Sequence, residues 1–476
     1  MPQIPAHWQD VRFSTVVIDS RLVVADALFV ALPGERTDGH NFLSEAMEHG
    51  ARGALVLARD LAQRREQFAE VGRPWVTVDP ADASNLAACA PDTFLLILVD
   101  DTQMALQRMA VYHRRQLTPT VVGITGSVGK TSVKEVAAAV LSRRYRTLKS
   151  ERSFNSEATL PTTLMQLQPD HEVAVLEMGM WAPGEIRFLA NLARPKIGIV
   201  TNVGPSHLER LGSMEAIANA KAELVESLPG DGVAILNYDD ERVVAMADRT
   251  AARVVSYGLD PRADVWADEI RSRGLEGISF RVHHDAESYS INAPLLGRHS
   301  VHIALAAIAA GLVMELGWED IVAGLQDQSV QLRLFVVPGV GGSTIIDDTY
   351  NAAPASTLAA LNLLADLAGR RIALMGDMLE LGAVEEEAHR KVGVRAAEVA
   401  DVLICMGTRA RWIAEAALAS GLPAGQVQMF AEHAQAVQFL QTLLQPGDFL
   451  LVKGSRGMAM EDIVAALQRR PEEEEK

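Results

Sequence analysis

Residues 121–131 read Val121-Val122-Gly123-Ile124-Thr125-Gly126-Ser127-Val128-Gly129-Lys130-Thr131. The stretch opens apolar and β-branched, turns through glycines at 123, 126 and 129, and ends in Lys-Thr. An amphipathic pattern follows. Val133, Val136, Ala137, Val140 and Leu141 fall at i, i+3, i+4, i+7 and i+8, the apolar stripe of a helix. Strand, glycine loop, Lys-Thr and helix is the order of a phosphate-binding loop. Its backbone N–H groups and helix N-terminus face phosphates, Lys130 adds charge, and the Thr131 hydroxyl can hold Mg²⁺. The general spacing G-x-x-x-x-G-K-[ST] would put glycine at 124, where this chain has Ile124. The alternative is a chance glycine-rich turn before an ordinary helix, and the flanking strand and helix argue against it.

The rest of the chain bounds the class. Its 476 residues are too many for one core and enough for several domains. A net charge of −17 argues against a general nucleic-acid or anionic-membrane binder. Cys89 and Cys405 form neither a disulfide framework nor a zinc pattern, which fits a reducing compartment. Met1-Pro2-Gln3-Ile4-Pro5 has no signal-peptide character, and no apolar run reaches the ~18 residues of a membrane span. The expectation is a cytoplasmic α/β protein without membrane insertion. Pro471-Glu472-Glu473-Glu474-Glu475-Lys476 reads as a solvated tail.

Three α/β blocks follow from the spacing of strands and breakers. Residues 1–113 carry strand patterns at 15–18, 28–32, 53–57 and 95–99, then a helix from Thr102 to about Arg115. Pro119 separates that helix from the phosphate-loop strand. In residues 114–330, Val173-Ala174-Val175-Leu176 ends in Glu177, and Ile197 to Thr201 leads through Asn202 to His207. Ligands gather at the carboxyl ends of strands in a parallel sheet, so Thr131, Glu177 and His207 should share one rim. Hard oxygens with an imidazole suit Mg²⁺ that bridges phosphates. Residues 331–476 have a Rossmann-like rhythm, with strands at 344–347, 371–375, 402–406 and 449–452.

Lys221 breaks a pattern. Met214, Ile217, Leu224 and Leu228 make one helical stripe, and Lys221 sits inside it. Its stem can lie on apolar surface with the ammonium snorkelling outward. It can also be a buried neutral amine, because desolvation lowers a lysine pKa.

Several motifs carry a resemblance. Thr-Gly-Ser-x-Gly-Lys-Thr at 125–131 resembles the loop of the ATP-dependent Mur ligases. Asp19-Ser20-Arg21, Asp26-Ala27-Leu28-Phe29-Val30-Ala31-Leu32 and Asp38-Gly39-His40-x-Phe42 resemble their N-terminal domain. Asp348-Thr349-Tyr350-Asn351, Gly376-Asp377-Met378-Leu379-Glu380-Leu381-Gly382 and Lys453-Gly454-Ser455-Arg456 resemble the third domain of the branch that adds D-alanyl-D-alanine. The Asp-Asn-Pro-Arg signature of the diaminopimelate-adding branch is absent.

The resemblance implies a three-domain ligase with a central P-loop ATPase-like parallel sheet. Residues 1–113 would bind the UDP part of UDP-N-acetylmuramoyl-tripeptide, with Ser20 and Arg21 on the uridine side. Residues 114–330 would bind ATP through Gly126, Ser127, Val128, Gly129, Lys130, Thr131 and Ser132. Residues 331–476 would bring D-alanyl-D-alanine, with Asn155, Asn351 and Asp377 as further substrate contacts. Arg333 and Asp348 would reach ATP phosphate and ribose. Thr131 and Glu177 would hold one Mg²⁺, and His207 with a carbamylated Lys221 a second. Lys130, His207 and Lys221 form the implied catalytic set. Peptide-bond formation through an acyl phosphate, by a monomer, is the implied chemistry. Alternatives are another amide ligase of the same architecture or an inactive nucleotide-binding relative.

Three departures from the family pattern stand out. Ser156 and Thr159 replace Asn and Gly after Asn155, Ser300 and Ile303 stand where relatives carry adenine-facing asparagines, and Ala353 replaces an asparagine. His299 and His302 are the substitute adenine contacts to examine.

Overall fold

Short apolar runs between turn formers become strands buried on both faces, as parallel sheets covered by helices require. The computed structural model of the chain describes residues 4–34, 37–60, 73–327 and 334–469. Arg333, the boundary near 330 and the tail 471–476 lie outside the described residues. The chain forms two compact units. One comprises 1–119, 150–172 and 188–194, and the other 120–149, 173–187 and 195–476.

The first unit holds a five-stranded parallel sheet in the order β1-β2-β3-β5-β4. The strands are β1 (Val16–Val17), β2 (Leu28–Val30), β3 (Gly53–Leu57), β4 (Trp75–Val78) and β5 (Phe94–Val99). Phe29, Leu43, Val56 and Phe94 are buried together on one face. Helix Thr102–Arg115 starts where predicted, because the Asp101 carboxylate accepts the N–H of Met104 at 2.8 Å. Residues 150–172 join this unit through bonds such as Gln107 Nε2 to the Glu157 carbonyl (3.1 Å) and His113 Nε2 to that of Leu167 (2.8 Å).

The second unit contains two sheets. The larger runs β14-β13-β12-β11-β10-β9-β6-β8-β7. Its parallel part is β6 (Thr120–Thr125), β7 (Thr147–Lys149), β8 (Val173–Glu177), β9 (Ile197–Val200), β10 (Val233–Asn237), β11 (Arg253–Gly258) and β12 (Val265–Ser272). An antiparallel extension adds β13 (Ile278–His284) and β14 (Glu287–Ala293). Helices Lys130–Leu141 and Ser300–Val313 pack in one core beside it. The second sheet runs β15-β16-β20-β17-β18-β19. Its strands are β15 (Phe335–Pro338), β16 (Thr344–Asp348), β17 (Arg371–Gly376), β18 (Val402–Met406), β19 (Val427–Phe430) and β20 (Phe449–Lys453), and only β15 is antiparallel to its neighbour.

Sheet order positions the chemistry. β6 lies between β8 and β9, with Ile124 opposite Glu177 and Thr125 opposite Val200. The ends of β8 and β9 therefore flank the glycine loop, as the sequence predicts for a shared rim. No described helix is long and apolar enough to cross a membrane.

Candidate active site

The glycine loop is shaped from both directions. Gly126 and Gly129 have φ of +149° and +88°, which side chains with a Cβ rarely adopt. A Cβ at Gly126 would lie 1.8 Å from Thr201 Oγ1. Asn202 clamps Val128, accepting its N–H at 2.9 Å and donating Nδ2 to its carbonyl at 2.9 Å. Thr201 Oγ1 donates to the same carbonyl at 2.7 Å. Helix Lys130–Leu141 begins at Gly129 with no side chain capping its N-terminus. That end is electropositive and ready for an anion. Lys130 Nζ folds back onto the Gly126 carbonyl at 2.8 Å.

Glu177 is fully buried at the end of β8 and accepts the Thr131 hydroxyl at 2.7 Å. Among the described residues no group of three or more His, Cys, Asp or Glu side chains could hold a metal ion. A hydroxyl beside one carboxylate nevertheless fits Mg²⁺, which takes few protein oxygens and completes its shell with water and phosphate.

Lys221 is buried, and its amine has no hydrogen-bond or ion-pair partner among the described residues. Burial drives its pKa well below the ordinary lysine value, and the charge of Lys130 adds to this. The structure thus favours the neutral-amine alternative over snorkelling. His207 is half-buried, and burial pushes its pKa down, opposed by Glu380 and reinforced by Lys130 and Lys221. Lys130, Lys221 and His207 therefore share one electrostatic neighbourhood, in which the charge on Lys130 helps keep the amine and the imidazole neutral.

A cavity of about 500 Å³ runs from this loop, lined by Lys130, Thr131, Asp239, His302, Asp348 and Lys453 among others. His299, with Ser300 and Ile303 at the two departure positions, also lines it. His302 Nε2 lies 2.7 Å from Asp239 Oδ2, a pair that sequence reading missed. The available signal was Asn237-Tyr238-Asp239-Asp240, another polar cluster at a strand end.

The three clusters of the second sheet meet. Lys453 is buried and donates to Asp348 Oδ2 at 2.6 Å and to the Asn351 carbonyl at 2.8 Å. Ser455 donates its N–H to the Asp377 carbonyl at 3.0 Å, and its hydroxyl accepts the Leu379 N–H at 2.8 Å. Asp377 itself is buried, and Oδ1 accepts the N–H groups of Arg409 (2.9 Å) and Ala410 (2.7 Å). It shapes a loop in this geometry. Ser20, Arg21 and Asn155 belong to the first unit. Ser20 is buried, and Arg21 is exposed and paired with Asp19 at 2.6 Å.

Family models match three successive segments. Residues 12–112 match the Mur ligase family catalytic domain, 124–311 the Mur ligase middle domain, and 332–456 the Mur ligase glutamate ligase domain. A UDP-N-acetylmuramoyl-tripeptide–D-alanyl-D-alanine ligase of Bacillus subtilis is 35% identical over 460 residues, covering 96% of this chain and 93% of that one. The chain belongs to the Mur ligase family. A ligase of the same name from Synechocystis is 34% identical, covering 96% of this chain and 93% of its own length. A crystal structure of MurF from Acinetobacter baumannii superposes with a TM-score of 0.77 at 30% identity, covering 97% of this chain and 94% of that one. The architecture is that of the family's three α/β domains, with a Rossmann-like third.

Family membership makes the departures informative. Ser156 and Thr159 replace the usual residues together, and they bond to each other. Their hydroxyls lie 3.0 Å apart, and Thr159 Oγ1 accepts the Ser156 N–H at 3.1 Å. The pair lies at the entry to helix Leu160–Met165, where Thr159 is the N-terminal flanking residue. Glu223 of Ala220-Lys221-Ala222-Glu223 accepts the N–H groups of Gly184 (2.7 Å) and Arg187 (3.0 Å), a structural role that the motif alone does not reveal.

Proposed function

We propose that this chain forms the peptide bond between D-alanyl-D-alanine and UDP-N-acetylmuramoyl-tripeptide at the expense of ATP, in peptidoglycan precursor synthesis. The observation that carries the reading is the convergence of Lys130, His207 and the bare amine of Lys221 beside the buried Thr131–Glu177 pair. Lys130 and the uncapped helix end face phosphate, while the neutral imidazole and amine suit metal binding once the amine is carbamylated.

The tripeptide carboxylate is a poor acyl donor because its leaving group would be oxide. Attack of that carboxylate on the γ-phosphorus of ATP gives an acyl phosphate and ADP. The uncharged amine of D-alanyl-D-alanine then attacks the acyl carbon. The tetrahedral intermediate collapses with loss of phosphate, and the amine proton passes to solvent. The protein's part is positioning and charge neutralisation. Lys130 turns from the Gly126 carbonyl to the phosphates, and the loop N–H groups and helix end hold them. Thr131 and Glu177 would hold one Mg²⁺, and His207 with Lys221 a second. Bound there, the ions would neutralise phosphate oxygens. Lys221 serves once its neutral amine takes up CO₂, losing a proton to give a carbamate.

The first block binds the UDP end through Ser20 and Arg21, with Asn155 nearby in the same unit. The middle block binds ATP. The third brings the dipeptide, with Asn351 at its rim and Asp377 holding the loop behind it. Asp348 and Arg333 serve the nucleotide. The enzyme this describes is a cytoplasmic monomer with small-molecule partners.

Phosphate release from ATP tests the reading. Release that needs both UDP-N-acetylmuramoyl-tripeptide and D-alanyl-D-alanine, and that is lost in Lys130→Ala, is the expected result. Release with a different amine would move the function to a sister ligase. No release with any pair of substrates would favour an inactive nucleotide-binding relative.

A further inference from the structure

Glu380 is exposed in the sequence's own terms, a charged residue between Leu379 and Leu381, yet the fold commits it. The loop after β17 brings its Oε2 to 2.7 Å from His207 Nδ1 across 173 positions of sequence. A carboxylate only accepts hydrogen bonds, so Nδ1 carries the proton and Nε2 is left with its lone pair. Both residues have left-handed backbones, with φ of 62° at His207 and 66° at Glu380. A non-glycine residue held there is strained and persists only when its surroundings fix it. The surroundings do so. Glu209 donates its N–H to the Glu380 carbonyl at 3.3 Å. Gly382 has φ of 56°, and a Cβ there would lie 3.0 Å from Glu209 Cα. The ring of Trp181 lies 5.2 Å from that of His207, with the Arg210 guanidinium 5.0 Å from the Trp181 ring centre.

An isolated surface ion pair would need none of this. We infer that Glu380 is a positioning residue: it fixes the tautomer and direction of His207, and it does so only while the 376–382 loop is seated on the 207–212 turn. The third block thereby sets the geometry of the phosphate side of the site before the amine arrives. The inference rests on the role given to His207 in the proposed function.

The test uses the full chain with Glu380→Gln, alone and in a His207→Asn background. Two readouts are taken: kcat and KM for each substrate, and Mn²⁺ binding followed by electron paramagnetic resonance with a non-hydrolysable ATP analogue. Partners of this kind change activity or metal affinity by about tenfold to a hundredfold. Glu380→Gln should lower kcat and weaken Mn²⁺ binding by such a factor, with KM for D-alanyl-D-alanine little changed. It should have no further effect in the His207→Asn background. Unchanged kcat and Mn²⁺ binding would overturn the inference, as would an equal loss in both backgrounds. If Glu380→Gln lowers stability, Glu380→Ala paired with the same background keeps the comparison. Wild-type protein that fails to use D-alanyl-D-alanine but shows the Mn²⁺ effect would retain the positioning role and remove the proposed substrate.

Discussion

A buried amine with no partner among the described residues should be a burden to the fold, and Lys221 offers a way to measure it. Its pKa in the unfolded chain is the ordinary 10.5, and in the folded chain it lies well below. Between those two values the unfolded state binds a proton that the native state does not. Wild-type stability contributed by this group therefore falls as pH drops below 10.5 and recovers as pH rises toward it. Lys221→Met removes the group and the slope together. In bicarbonate-free buffer the variant should melt higher than wild type at pH 7, by a margin that narrows toward pH 10, while turnover is lost. Bicarbonate should raise the wild-type melting temperature and leave the variant unmoved. A variant less stable at pH 7 than wild type would mean that Lys221 is charged and partnered in solution. Asp348 poses the opposite case. Its carboxylate is the counter-charge of buried Lys453, so Asp348→Ala should cost about 3–5 kcal/mol in urea unfolding by stranding an ammonium. Loss of activity in that variant would then say nothing about ribose until stability is matched.

Elements were more legible than the pairs between them. The glycine loop, its strand and its helix could be read directly because their signals are local: β-branching, closely spaced glycines and a 3.6-residue period. Glu177 and the turn before His207 followed from the rule that strand ends share a rim. Asp348 with Lys453, His302 with Asp239, and Glu380 with His207 could not be read, because each pair is closed by sheet order across dozens to hundreds of residues. Helix packing shows the same limit. Gly324 in helix Trp318–Leu325 looks dispensable in sequence, but a Cβ there would lie 2.4 Å from Val140 Cα, backbone that cannot yield. Gly324→Ala should destabilise by about 1–3 kcal/mol or more through overpacking, though it lies on the far end of the phosphate-loop helix from the site. Gly425→Ala, where a Cβ meets nothing within 4 Å, should stay within about 0.5 kcal/mol. Equal melting shifts for the two would refute the packing argument.

At the scale of the whole chain, the first unit's use of 150–172 and 188–194 has no mark in composition. It depends on bonds such as Gln107 to Glu157, which no local pattern announces. Each unit has cores of its own: Phe29, Leu43 and Phe94 in the first, and the packed helices Lys130–Leu141 and Ser300–Val313 in the second. Units with separate cores need not unfold in one step. A ligand that binds one folded unit stabilises that unit alone, by about 2.7 kcal/mol at a hundred times its Kd. Urea unfolding should therefore show two transitions. A non-hydrolysable ATP analogue with Mg²⁺ should shift the one that reports the second unit, followed by fluorescence of Trp181, Trp266, Trp318 and Trp412. A UDP-sugar should shift the other, carried by Trp8 and Trp75. Movement of both transitions by either ligand would show that the units are thermodynamically coupled, and the shift shared between them would measure that coupling. A UDP-sugar that moved only the second transition would remove Ser20 and Arg21 from the uridine site and require another home for it.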